Sequence, residues 1–115
     1  MPREEELAVP EEPVPRFLVA EPNVPVAELL RDVLDTGYPG CDVIVAERGD
    51  DAWRVVRNDH LDLAILEVDL PGKTGVWVLR QIQGTARKLP VIMTAHHATE
   101  DEEAELLRLG ADDFL

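Results

Sequence analysis

A short apolar run, Leu63 to Leu66, stops at the carboxylate of Glu67, and a loop containing Pro71-Gly72-Lys73-Thr74-Gly75 follows. The run shows no alternation with polar residues, which is typical of a strand buried on both faces of a parallel sheet. In open parallel sheets, ligands bind at the carboxyl ends of the strands. Glu67 is therefore a candidate site residue, and a solvated acid at a strand end is the alternative interpretation.

Length and charge limit the classes of function. The chain has 115 residues, which predicts one domain, and a net charge of −13. Such a negative surface repels phosphate backbones, so direct nucleic-acid binding is not expected. We find neither a signal peptide nor an apolar run near the roughly 18 residues that span a membrane. The single Cys41 excludes an internal disulfide, and these features together predict a cytoplasmic protein with no membrane contact.

Strand-like and helix-like segments alternate along the chain. Residues 16–20, 42–46 and 89–94 are predicted strands, and a fifth strand begins at Asp113. This alternation predicts an α/β fold, a doubly wound parallel sheet with helices on both faces. The proline- and glutamate-rich residues 1–15 are expected to form a disordered acidic arm, which leaves residues 16–115 as the folded domain.

The helices between these strands are predicted from apolar spacing and capping residues. Asp50 is a candidate N-cap for a helix over residues 52–58, and Thr99 begins a capping box. Trp77 falls opposite the apolar face of the helix that follows Thr74, so it is expected to be exposed and is a candidate partner contact. The first helix has a single predicted apolar face, formed by Val26, Leu29, Leu30, Val33 and Leu34.

Oxygen-bearing side chains follow three of the predicted strands. Glu21 comes after the first, Glu67 after the third, and Thr94 ends the fourth. Carboxylate and hydroxyl oxygens at one sheet edge are suited to binding a divalent cation or a phosphoryl group.

The set of motifs resembles the response-regulator receiver domains of bacterial two-component signalling. The resemblance covers residues 16–115 and implies a flavodoxin-like sheet with strand order 2-1-3-4-5. It also implies a phosphoacceptor position at Glu67, a hydroxyl switch at Thr94, an aromatic switch at Phe114 and a loop position at His96 that tunes phosphate lifetime. The matching pieces are Glu21-Pro22, Glu67 with Pro71-Gly72 and Gly75, Thr94-Ala95, and Gly110-Ala111-Asp112-Asp113-Phe114.

Three departures from the family pattern affect the implied site. The family has an aspartate where this chain has Glu67, and its second acid after strand one, a direct Mg²⁺ ligand, is Pro22 here. The family's lysine follows strand five, beyond Leu115. Phosphoryl transfer needs exact placement of the acceptor, and Mg²⁺ needs near-ideal octahedral geometry. Glu21 and Glu67 are thus the remaining metal ligands, and we expect weak or absent Mg²⁺ binding and no other cofactor.

Three hypotheses for function remain open. The favoured one is a degenerate receiver (a pseudo-receiver), not an enzyme, that signals by protein–protein binding. In it, either Glu67 stands in for the phosphorylated state or the fold simply serves as a docking platform. The alternative is a working phosphoacceptor receiver, with Asp69 as a further carboxylate in the acidic pocket. A small metal-dependent hydrolase built on Glu67 and Asp69 is less favoured, because too few acids converge on a metal. His96 and His97 are interpreted as solvated loop imidazoles, and a His-His-Glu metal site lacks a convincing third ligand.

Partners and assembly follow from the same resemblance. It implies a histidine kinase or a downstream effector as the protein partner. Because the family continues with a fifth helix, we expect this chain to be truncated in strand five, with the last helix absent. Strand four would then lie near an open edge, with Leu106, Leu107 and Leu109 adding apolar surface. A homodimer through the strand-four and helix-four region is therefore predicted.

Overall fold

The computed structural model describes residues 14–115. The predicted acidic arm, residues 1–15, lies outside the described residues except for its last two positions. The described part contains five strands and four helices that alternate along the chain. They are β1 (Arg16–Ala20), α1 (Val24–Gly37), β2 (Asp42–Ala46), α2 (Gly49–Asn58), β3 (Leu63–Glu67), α3 (Gly75–Gln83), β4 (Val91–Thr94), α4 (Glu100–Arg108) and β5 (Asp113–Phe114).

The strands form one parallel sheet in the order β2-β1-β3-β4-β5, which confirms the predicted topology. Side chains alternate between the two faces of each strand, so the sheet supports two apolar clusters. One cluster holds side chains of α2, α3 and α4, including Val56, Leu79 and Leu106. The other is built against α1 alone, through Ala27 and Leu34. Among residues 14–115, the sheet is therefore covered by three helices on one face and by a single helix on the other.

Helix α2 begins earlier than its local sequence predicts. It starts at Gly49 with Arg48 as the N-cap residue, so the assignment of Asp50 as N-cap is wrong. Gly49 lies against the β3–α3 loop, where its N–H donates to the carbonyl of Pro71 at 3.0 Å. A Cβ at Gly49 would lie 1.7 Å from the carbonyl oxygen of Lys73. The start of α2 is thus set by a contact between two loops at the carboxyl edge of the sheet.

The prediction that Trp77 is exposed is also wrong. Trp77 is partly buried and packs edge to face against Trp53 of α2, with ring centroids 6.3 Å apart and an interplanar angle of 87°. The ammonium of Lys73 lies over its ring, 5.1 Å from the centroid. Trp77 is partly buried because α2 and α3 pack side by side, and the spacing of residues within α3 alone does not reveal this contact.

Strand β4 is not the open edge that the sequence indicated. It pairs with β3 on one side and with β5 on the other, where the N–H of Leu115 donates to the carbonyl of Met93 at 2.9 Å. In α4, Leu106 is buried, Leu109 is partly buried, and only Leu107, 45% exposed, remains a large exposed apolar side chain. The open-edge argument for a dimer through strand four is therefore wrong, while the dimer itself stays a prediction. Within the described residues, no helix combines the length and apolar character needed to cross a membrane.

Candidate functional site

Strand register brings the predicted site residues to the same edge of the sheet. Glu67, the last residue of β3, lies opposite Thr94, the last residue of β4. In the neighbouring pair, Ala20 of β1 lies opposite Leu66, so Glu21 emerges next to Glu67. Glu21 and Glu67 are each only 2% exposed, and they are the two buried charged residues of the described part of the chain. The solvated-acid interpretation of Glu67 is therefore wrong.

Both oxygens of the Glu67 carboxylate accept hydrogen bonds. The hydroxyl of Thr94 donates to Oε2 at 3.1 Å, and the backbone N–H of Asp69 donates to Oε1 at 3.4 Å. The Asp69 side chain itself is exposed. Glu67 thus reaches across to the Thr94 hydroxyl, whereas Asp69 contributes a backbone donor from the loop.

Glu21 is oriented by the start of α1. The backbone N–H of Asn23 donates to Glu21 Oε2 at 3.0 Å, and the Asn23 side chain caps the helix by accepting from the N–H of Val26 at 3.2 Å. The sequence interpretation missed Asn23. An asparagine two residues before Pro25, which lies in the first turn, is the N-cap signal that identifies it.

His96 joins the two acids, which the sequence interpretation did not favour. Donor atoms of Glu21, Glu67 and His96 all lie within 4.8 Å of one another, although His96 is on the exposed loop between β4 and α4. His97 is not part of this group. The available signal was positional, because His96 stands two residues after a strand that ends at the same edge as both acids.

The loop after β3 is held close to the site by a glycine. Gly75, the first residue of α3, has its N–H bonded to the carbonyl of Val68 at 2.9 Å. A Cβ there would lie 2.0 Å from the carbonyl oxygen of Glu67. Only glycine allows the start of α3 to pack this closely against the end of β3.

Phe114, the predicted aromatic switch, lies on β5 and is partly buried against the larger apolar cluster. Strand β4 separates it from β3, the strand that ends at Glu67.

The pocket contains two buried carboxylates, those of Glu21 and Glu67. Among residues 14–115, neither Glu21 nor Glu67 forms an ion pair with a lysine, arginine or histidine within 4.0 Å. Two unit charges about 5 Å apart repel by about 3 kcal/mol at an effective dielectric constant near 20. The pocket therefore attracts a cation.

The Mg²⁺ implied by the resemblance does not fit these residues well. Mg²⁺ requires octahedral oxygen coordination with little distortion. Pro22 offers no side-chain oxygen at the position of the second family acid, and the Asp69 carboxylate is exposed on the loop. The remaining buried acids, Glu21 and Glu67, supply only two side-chain ligands.

The sequence profile of the family described as "Response regulator receiver domain" matches residues 17–115. The chain is a member of that family. Receiver domains are signalling modules of two-component systems. The matched region includes Glu21, Glu67, Thr94 and Phe114.

Relatives and solved structures agree with this assignment. The chain is 33% identical over 100 residues to the transcriptional regulatory protein CpxR of Klebsiella pneumoniae, covering 87% of this receiver and 41% of CpxR. It is 33% identical to the response regulator MprA of Mycobacterium tuberculosis, again over 87% of this chain and 43% of MprA. The receiver therefore spans less than half the length of these curated relatives.

Two solved receiver domains superpose closely. The BeF₃-activated N-terminal receiver domain of Klebsiella pneumoniae RstA gives a TM-score of 0.78 at 27% identity, covering 87% of this chain and 83% of that one. The receiver domain of the Francisella response regulator 1452 gives a TM-score of 0.80 at 24% identity, with 88% and 82% covered. The second likeness concerns the fold alone.

Proposed function

We propose that this receiver transmits a signal by binding a protein partner and is not phosphorylated at the usual position. The observation that carries the proposal is the hydrogen bond from the Thr94 hydroxyl to Glu67 Oε2, 3.1 Å long, in a pocket where Glu67 is 2% exposed. The resemblance makes Thr94 the residue that responds to the charged phosphoryl group. The permanent carboxylate of Glu67 supplies the negative charge that the phosphoryl group would supply, so Thr94 has a charged partner without phosphorylation.

The same geometry opposes phosphoryl transfer. A nucleophilic carboxylate oxygen needs a free approach and exact alignment with the phosphorus atom. Both Glu67 oxygens are engaged by hydrogen bonds, and Pro22 supplies no metal ligand beside them. The partner is a histidine kinase or a downstream effector, the classes with which receivers of this family interact.

Incubation with acetyl phosphate and Mg²⁺ tests the proposal by intact-mass spectrometry. We expect the mass of the wild-type chain to remain unchanged, because the acceptor is displaced and the metal site is incomplete. Glu67→Asp alone is also expected to remain unmodified. Restoring transfer requires Pro22→Asp as well, together with the lysine that the family carries after strand five.

The positive control for acetyl phosphate is a receiver domain that has aspartates at the positions of Pro22 and Glu67 and the family lysine after strand five. A stoichiometric, base-labile gain of one phosphoryl group on the wild-type chain would contradict the proposal. Mapping that group to Asp69 or to Glu67 would establish a working phosphoacceptor receiver instead.

A further inference from the structure

Helices α2 and α3 carry a pair of tryptophans with a cation at each end. Trp53 and Trp77 are partly buried and pack edge to face. The guanidinium of Arg57 lies over the Trp53 ring, 5.8 Å from its centroid, and the ammonium of Lys73 lies over Trp77 at 5.1 Å. We propose that these four residues, the tryptophan surface, are the docking site for residues 4–12 of the chain's own acidic arm.

The two cations of the tryptophan surface are available to carboxylates. Arg57 and Lys73 are both exposed, and neither takes part in the ion pairs found among residues 14–115. The acid nearest to Trp53 along α2, Asp51, is already paired with Arg54 at 2.9 Å. Glutamates brought to this surface would therefore form charge-assisted hydrogen bonds with cations that have no acidic partner in the described chain.

The acidic arm has the complementary order of side chains. Residues 4–12 read Glu-Glu-Glu-Leu-Ala-Val-Pro-Glu-Glu, so two acidic clusters flank four apolar residues. The tryptophan surface runs from a cation across two indole rings to a second cation. Extended segments that contain proline dock on aromatic surfaces of this kind. The match places the acidic pair of residues 11–12 at Arg57 and the acidic cluster of residues 4–6 at Lys73.

The arm joins the folded domain next to the end of α2. Arg16, the first residue of β1, forms an ion pair with Asp59, the C-cap of α2, at 3.2 Å. Trp53 lies six residues before Asp59, roughly 9 Å along the helix axis. Glu12 is four residues before Arg16, which corresponds to roughly 12 Å of extended chain at 3.1 Å per residue. The acidic pair can therefore reach Arg57, which lies between Asp59 and Trp53 on the helix.

The length of the arm also fits the surface. The path from Arg57 to Lys73 consists of three steps of 5.8, 6.3 and 5.1 Å. In an extended chain, the six residues from Glu11 to Glu5 span roughly 19 Å, which is comparable to that path. A short tether gives an effective concentration in the millimolar range, so individually weak contacts are sufficient to keep the arm docked.

Carbodiimide coupling of the complete 115-residue chain, mapped by mass spectrometry, tests the docked position. The reagent joins a carboxylate directly to an amine, and the chain has two lysines, Lys73 and Lys88, both exposed. We expect residues 4–6 to couple to Lys73 at least about 5-fold more than to Lys88, which is the internal control. The preference should disappear in 1 M salt, where the screening length is about 3 Å.

Acrylamide quenching gives a second, independent measurement, because both tryptophans of the chain belong to the proposed site. Glu11→Gln/Glu12→Gln should raise the quenching constant at least about 1.5-fold by weakening the docked state. Glu28→Gln/Asp32→Asn is the matched control. It makes the same change in net charge at exposed positions of α1, on the opposite face of the sheet, and should quench as the wild type does.

Equal coupling of the arm to Lys73 and Lys88 would overturn the site, and so would equal quenching of the arm variant and the wild type. Coupling to Lys73 that rises in proportion to protein concentration would assign the arm to a second copy and contradict docking within one chain. Circular dichroism verifies that each variant is folded.

Discussion

At the scale of single residues, the position of the family's acceptor aspartate holds a glutamate, whose side chain is one methylene longer. The family aspartate is replaced by Glu67, whose longer side chain reaches the hydroxyl of Thr94 across the β3–β4 register. The bond joins a nearly fully buried carboxylate to a partly buried hydroxyl. Removing the donor from a buried acceptor lowers the free energy of unfolding by more than the hydrogen bond itself contributes, because the acceptor stays desolvated.

Replacing Thr94 by valine measures that contribution. Thr94→Val keeps the side-chain shape and removes the donor to Glu67, so we expect the free energy of unfolding to fall by about 1–3 kcal/mol. Thr94→Ser is the matched control, because it retains the hydroxyl and should lose only a few tenths of a kcal/mol from lower strand propensity. Urea unfolding followed by tryptophan fluorescence provides both values. Equal losses in the two variants would show that the hydroxyl bond is not what stabilises this pocket.

At the scale of elements, α1 does not bury the whole apolar face that its spacing predicts. Leu34 is 8% exposed, whereas Leu29 and Val33 are 62% and 60% exposed. The spacing of three and four residues correctly identifies the helix but includes side chains on its flank. Burial is decided by which part of the helix circumference touches the sheet, and here Ala27 and Leu34 face β1 and β3 through Phe17, Val19 and Ile65.

Two leucines of the same helix therefore test the packing of α1. Leu34→Ala should lower the free energy of unfolding by about 2–4 kcal/mol, because it leaves a cavity against the sheet. Leu29→Ala should change it by less than about 0.5 kcal/mol, since the side chain is mostly exposed and alanine favours helix. Urea denaturation midpoints compare the two directly. A loss for Leu29→Ala as large as that for Leu34→Ala would mean that α1 is rotated relative to the structure.

At the scale of the whole molecule, the two faces of the sheet are unequally covered. Parallel sheets are normally buried on both faces. Three helices cover one face of the described chain, and α1 alone covers the other. The exposed side chains of Leu29 and Val33, four residues apart, lie on the same side of α1 and form an apolar patch there. This patch replaces the strand-four region as the structure's best candidate for contact between copies.

We expect the isolated 115 residues to self-associate through this α1 patch. Light scattering coupled to size-exclusion chromatography, over a hundredfold concentration range, should show a mass that rises with concentration. The association should strengthen with salt, because a net charge of −13 makes copies repel at low ionic strength.

The double variant Leu29→Glu/Val33→Glu should remain monomeric, because it places charge in the patch. Leu107→Glu on α4 is the matched control and should associate like the wild type. A wild-type chain that stays monomeric throughout the range would contradict the prediction. Loss of association in Leu107→Glu alone would return the interface to the helix-four region.

The sequence by itself determined the order of elements, the parallel topology and the position of Glu21, Glu67 and Thr94 at one edge of the sheet. Strands 16–20 and 42–46 were predicted with the bounds that β1 and β2 have. These features depend on local patterns, namely unbroken apolar runs, three- and four-residue spacing, and capping by Thr99. Such patterns act over a few residues, so they can be read directly.

Only the tertiary structure decided the features that depend on contacts between distant segments. The start of α2 at Gly49 is set by the β3–α3 loop, and the burial of Trp77 is set by Trp53. The approach of His96 to Glu21 and Glu67 requires the ends of three segments to meet. Residues separated by tens of positions contribute to each of these contacts, and their distance in space is determined by how the helices and loops pack against the sheet.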